Sequence, residues 1–314
     1  MQNTSYPGNS TDFPPGVSVT KDLWPVIVLA FSGSACYCNV GVLLAVTVGR
    51  PAWQEEPRFP FLVAMLCSDM MLILCSRGLL LLGHYNILIT VVPCQILLML
   101  CKFCFNNATL SLAWMVIERY IAICYPLKCA ILLSPHRVNL VIMGNGILSG
   151  CLVMIHVILT NLSTEEVNYE LGMICHSESK VYGSNFEKEA LVVRYFGHAF
   201  CISFLLTMII FAYLRIGNVI VKASTKEKGS AVRAQKTILL HAIQMLLYMA
   251  FHFYPVLYRT MYQSVSGTHL MRLFNLLCFD VPRVLAPLIY GLKDEEIKPR
   301  VLVFLCCCLF KVHP

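Results

Sequence analysis

Six of the ionisable residues inside otherwise apolar stretches of this chain call for an account: Asp69, Lys102, Glu118, Arg119, Asp280 and Arg283. A charge at membrane depth costs about 2.5–3.5 kcal/mol or more, so each of them needs a partner or a function. Their chemistry is that of ion pairs and ligand anchors rather than of bond making. No serine-centred nucleophile motif, phosphate-binding loop or paired-carboxylate arrangement is present, so no catalytic residue is expected. The nine histidines are scattered and none forms a His-Glu-x-x-His pattern, so no metal and no cofactor are expected. The net charge is +7, but no basic stretch is interleaved with aromatics, which argues against nucleic acid as a partner.

The elements that must position these charges follow from composition. Hydrophobic residues make up 58% of the 314 residues and charged residues 13%, against about 25% charged in soluble domains. Seven apolar stretches, 24–48, 59–82, 91–123, 138–160, 192–221, 235–258 and 270–290, can each supply the ~20 residues that cross ~30 Å of hydrocarbon. Backbone polar groups in lipid must be satisfied internally, so these spans are predicted to be helices. The third and fifth are long enough to project beyond the bilayer. The expectation is an all-α membrane protein, a seven-helix bundle with a short interfacial eighth helix. Residues 1–23 would form an outer tail, 24–291 the bundle and 292–314 a cytoplasmic helix and tail. No internal repeat or broken span points to a transporter or channel.

Orientation follows from Lys and Arg. With the amino end outside, fifteen of them fall on the inner side and six on the outer, as the positive-inside rule requires. The tail lacks a signal-peptide core but carries two glycosylation patterns, at Asn3 and Asn9. Arg119 lies 25 residues after Cys94, which is ~37 Å of helix, so the two residues mark opposite mouths of the third span. Cys175 falls in an outer loop, and the oxidising exterior makes it the expected disulfide partner of Cys94. At the other end, residues 295–310 start charged and turn apolar, as an interfacial helix does. Cys306, Cys307 and Cys308 there are expected S-palmitoylation sites, or else thiols packed into lipid.

Five motifs in register carry a resemblance: "CNVGVLL" at 38–44, "LCSDMM" at 66–71, "MVIERYIAICYPL" at 115–127, "RAQKTILLH" at 233–241 and "PRVLAPLIYGLKDEEIK" at 282–298. Together they resemble the rhodopsin-like G-protein-coupled receptors, within them the odorant receptors, and most of all the fish type. The resemblance covers residues 25–305. It implies a plasma-membrane receptor for a small-molecule odorant that activates a heterotrimeric G protein of the olfactory stimulatory type. The chain departs from the pattern at Ala286, where Asn or Asp is usual. It also lacks a Trp in the fourth span, and "AFHFYP" replaces the common Cys-Trp-x-Pro of the sixth. A rhodopsin-like receptor for a peptide, lipid or metabolite is the alternative reading.

The resemblance also assigns roles. Glu118 and Arg119, with Tyr120, would form a resting-state clasp at the inner mouth, the alternative being an Arg119 that snorkels to lipid phosphate. Tyr213 and Tyr290 match inward-pointing tyrosines of that region. Residues 222–236 would dock the G protein, and a basic patch on the membrane surface is the simpler reading. Asn39 and Asp69 match the mid-membrane polar core, where the family's carboxylate often surrounds a sodium ion. Arg283 is expected to replace that ion in a bidentate pair with Asp69, or to bond helix carbonyls. Lys102, ~12 Å below Cys94, shares a face with Phe105 and Asn106 at cavity depth. It would attract an anionic or carbonyl-bearing ligand, or bridge to Asp280, for which Arg77 could compete. His198 and His252 fall at matching depth.

Overall fold

Leu, Val, Ile and Met dominate each predicted span, and each folds as a helix. A computed structural model describes residues 17–48, 56–162, 173–175, 187–222, 239–240, 242–254, 257, 265–293 and 297–307. Span one is Val17–Thr47, span two Arg58–His84, span three Val91–Cys124, span four Pro135–Leu162 and span five Glu187–Lys222. Span six is seen as Ala242–Phe251. Span seven runs from Val265 to Lys293 as two α-helical segments joined through a π-helical turn at Leu276–Asp280. Among the described residues, five helices are long and apolar enough to cross a membrane.

Three elements go beyond the sequence reading. A seven-residue helix, Pro126–Leu132, follows span three directly, with Pro126 at its first turn, where a missing N–H costs nothing. At the opposite end, Leu88 and Ile89 pair antiparallel with Ile174 and Met173. This two-residue ladder lies beside the Cys94–Cys175 disulfide, whose Cα atoms are 5.6 Å apart. The third element is the π turn itself. It inserts one residue into the ladder of span seven and changes which side chains face the bundle beyond it.

The core sits between spans two and three, the most closely packed pair. Phe61, Met65 and Leu66 of span two meet Leu112, Met115 and Val116 of span three, all of them buried. Span four is peripheral. Leu140, Met143, Ile147 and Ile155 stay exposed on it, as lipid-facing residues should. A polar contact helps to fasten it: Trp114 Nε1 of span three donates to Asn145 Oδ1 at 3.1 Å. The Trp114 ring also stacks on Phe61, with centroids 6.2 Å apart. The indole that span four lacks is thus supplied by its neighbour.

Lys298–Cys307 forms the final helix. Its buried Val301 lies against Gly291 of span seven, and Leu305 lies against Gly41 of span one. A Cβ at Gly291 would come within 2.8 Å of Val42 Cγ2, and one at Gly41 within 2.7 Å of Leu305 Cδ2. Both glycines are there for close approach. The Tyr37 hydroxyl then donates to the Leu305 carbonyl at 2.7 Å.

Candidate functional site

Five of the six charges sort into two groups, one at the Arg119 end and one in the middle of the bundle, where Arg77 joins them. The central group is built from spans two and seven. Asp69 and Arg283 are both fully buried, and Arg283 Nε lies 3.3 Å from Asp69 Oδ1. The expected bidentate fork is not formed. The guanidinium divides itself, with Nη1 donating to the Phe279 carbonyl four residues back in its own helix. The remaining capacity of Asp69 goes to a residue that sequence reasoning missed: Tyr248 of span six, whose hydroxyl is 2.8 Å from Oδ2 and 3.0 Å from Oδ1. A phenol in the middle of "QMLLYMAF" was the available signal, since a buried hydroxyl in an apolar span needs a partner.

One turn toward the disulfide end lies the second pair. Asp280 Oδ1 accepts from Arg77 Nη2 at 2.6 Å and from the Ser32 hydroxyl at 3.0 Å. Of the two cations expected to compete for Asp280, Lys102 and Arg77, it is Arg77 that pairs with it. The reason is geometric: Asp280 ends the π turn, and its carboxylate is taken up by spans one and two. The Phe279 ring lies between the two guanidinium groups, with Arg283 Cζ 3.8 Å and Arg77 Cζ 4.8 Å from its centroid. Two carboxylates and two guanidinium groups make a neutral cluster around one aromatic ring, the arrangement that buried charges require.

Above the cluster the wall is aromatic. Phe105 lies edge-on to His252, with centroids 4.8 Å apart, and packs on Phe251 at 5.5 Å. Phe251 in turn meets Phe279 at 5.1 Å and Tyr254 at 5.3 Å. The structure thus brings Phe105 and His252 together and connects them through Phe279 to both ion pairs. Lys102 and Asn106 are half-buried on the same face of span three. His198 lies in span five, and its side chain is outside the described residues. Asn39 is buried, and among the described residues neither atom of its amide has a hydrogen-bond partner.

At the Arg119 end, Glu118 is buried and its Oε2 lies 3.5 Å from Arg119 Nε. Arg58 of span two, itself paired with Glu56, lies within electrostatic reach of Glu118. Tyr290 of span seven lies in the field of both Glu118 and Arg119. Tyr120 packs edge-on to Phe211 of span five at 5.3 Å. Tyr213 departs from the expected inward orientation and is 42% exposed. The buried face of span five runs through Leu205, Ala212 and Ile216, and Tyr213 is one residue, about 100°, off it. In the short helix after span three, burial and then the Glu118 charge push the Cys129 thiol up, which makes it a packing group rather than a thiolate. Asn3, Asn9, Cys308 and the 222–236 loop beyond Lys222 lie outside the described residues, as do the side chains of Cys306 and Cys307. Among the described residues no cluster of His, Cys, Asp and Glu could hold a metal ion.

Phe105 and His252 connect to Phe279 through Phe251, and Phe279 contacts the arginines of both ion pairs. The chain is similar to known membrane proteins. Residues 38–290 match the family described as 7 transmembrane receptor (rhodopsin family). Over 229 residues the chain is 22% identical to Odorant receptor 131-2 of Danio rerio, which covers 72% of this chain and 69% of that protein.

Proposed function

Because the chain belongs to the rhodopsin family of seven-transmembrane receptors, we propose that it is an odorant receptor that binds a small molecule within the bundle and activates a heterotrimeric G protein of the olfactory stimulatory type. In this reading it sits in the plasma membrane with its amino end outside, Asn3 and Asn9 glycosylated, and Cys306, Cys307 and Cys308 acylated. The observation that carries the reading is the continuous path of contacts from Phe105 and His252, through Phe251 and Phe279, to Arg283, Asp69 and Tyr248. It begins where Lys102, Phe105, Asn106, His198 and His252 would meet an odorant, and it ends on span six. The distant likeness to a zebrafish odorant receptor supports the ligand class.

The mechanism is a shift between two conformations. The odorant binds the open form better and raises its population by that difference in affinity. In the resting form Glu118 holds Arg119 and Tyr248 holds Asp69. In the open form span six moves, Arg119 is released, and the inner face exposes residues 222–236 and Tyr290 to the G protein. Contact with the neutral cluster selects for aromatic and apolar ligand bodies, while Lys102 adds a preference for a carboxylate or carbonyl group.

The test is a screen of carboxylates, amines and neutral odorants on cells that express the receptor with an olfactory G protein, repeated on Lys102→Ala. A dose-dependent response to water-borne or volatile small molecules is expected, with carboxylates losing potency on Lys102→Ala. A receptor that reaches the surface, ignores the odorant panel and responds to a peptide or lipid would overturn the odorant reading.

A further inference from the structure

In this family the second-span carboxylate often surrounds a sodium ion, and the residues around Asp69 do not fit one. A hard cation needs a ring of oxygen donors. Here one carboxylate oxygen faces a guanidinium at 3.3 Å, and the Tyr248 hydroxyl directs its proton at the carboxylate. A second positive charge at Asp69 would also face Arg283 across a few ångströms of low-dielectric interior, where repulsion is weakly screened.

Arg283 is also held independently of Asp69. It donates to the Phe279 carbonyl, and its Cζ lies 3.8 Å from the Phe279 ring, 5.0 Å from that of Tyr248 and 5.9 Å from that of Phe105. Three aromatic faces and a carbonyl fix the guanidinium where it stands. The like-charged Arg77 is kept out of the carboxylate's reach by its own partner, Asp280. Each carboxylate thus has a dedicated cation supplied by a side chain of the same protein.

We propose that Arg283 is a built-in counter-ion that closes Asp69 to sodium, so that this receptor's conformational equilibrium is indifferent to the ion. Sodium acts on a receptor by binding one conformation better than another, and a site already filled by a side chain has no such difference to offer. Removing the guanidinium should open the site, because Asp69 would then sit buried without its cation.

The test uses purified full-length receptor in lipid nanodiscs and reads thermal unfolding, so it requires neither odorant nor G protein and stands apart from the screen above. Midpoints are compared in sodium chloride and in N-methyl-D-glucamine chloride at equal ionic strength. The wild type should show the same midpoint in both salts. Arg283→Gln should gain a sodium-specific rise of several degrees, and adding Asp69→Asn should abolish it. Arg283→Lys keeps a cation in place and should stay indifferent, which keeps the proposal testable if the glutamine variant fails to fold. A wild-type midpoint that rises specifically with sodium and loses that rise in Asp69→Asn overturns the proposal. So does a folded Arg283→Gln with no sodium response, or an Arg283→Lys that responds as the glutamine variant should.

Discussion

Tyr248→Phe isolates the contact that ties span six to span two. The phenol has one proton, so its two short distances to Asp69, 2.8 and 3.0 Å, amount to a single charge-assisted hydrogen bond shared between two oxygens. Such a bond contributes about 1.5–3 kcal/mol. Phenylalanine keeps the ring that stacks on Phe105, with centroids 6.2 Å apart, and that faces Arg283. It therefore removes the hydrogen bond without opening a cavity in a core where Tyr248 is 1% exposed. If the bond exists only in the resting form, losing about 1.4 kcal/mol of it multiplies the active-to-resting ratio about tenfold. A receptor resting at ~1% active would then show ~9% basal activity, worked from the same ratio. The assay is agonist-free nucleotide exchange on a reconstituted G protein, at matched surface receptor. Asp69→Asn is the control background, because the effect of Tyr248→Phe should shrink sharply once its acceptor is weakened. Basal exchange that is unchanged within twofold, or that falls, would refute the assignment of this bond to the resting form.

Two further outcomes follow from the packing. Asp280→Asn leaves the Arg77 guanidinium buried without its counter-charge and should cost about 3–5 kcal/mol, seen as lost surface expression and a lower unfolding midpoint. Replacing both partners together, Arg77→Met with Asp280→Leu, should be milder than Asp280→Asn alone. Gly291→Ala should cost about 1–3 kcal/mol from overpacking, since its Cβ meets the stiff side chains of Val42 and Val301 at 2.8 and 3.2 Å. Gly41→Ala should cost less, because the flexible end of Leu305 can turn away, and thermal unfolding of the two variants side by side checks the order.

The spans were legible in the sequence because lipid leaves the backbone no alternative to a helix, and length with apolar content marks each crossing. The ends of span three were legible for the same reason, with Cys94 and Arg119 a bilayer apart. The pairing of the buried charges was legible only in part. Asp69–Arg283 followed from a matched depth, but depth along a helix does not say which way a side chain turns. Depth alone therefore leaves both Lys102 and Arg77 as partners for Asp280, and the π turn at Leu276–Asp280 delivers it to Arg77 and Ser32. A one-residue insertion in the ladder leaves no mark on hydropathy. Tyr213 illustrates the same limit, since its inward orientation was inferred from a motif and the helix phase of span five turns it outward. Tyr248 was overlooked because no motif marked it, although an isolated hydroxyl in an apolar span carried the information.

The buried ion pairs also bear on how the protein is made. Asp69 and Arg77 enter the bilayer early with span two, and their mates Arg283 and Asp280 are about two hundred residues downstream, with 203 positions separating Arg77 from Asp280. Until the seventh helix is synthesised, span two must hold two charges in the translocation machinery or its lipid surroundings without their final partners. A chain truncated before Asp280 therefore lacks what span two needs to settle, and the last helix to be inserted completes the second.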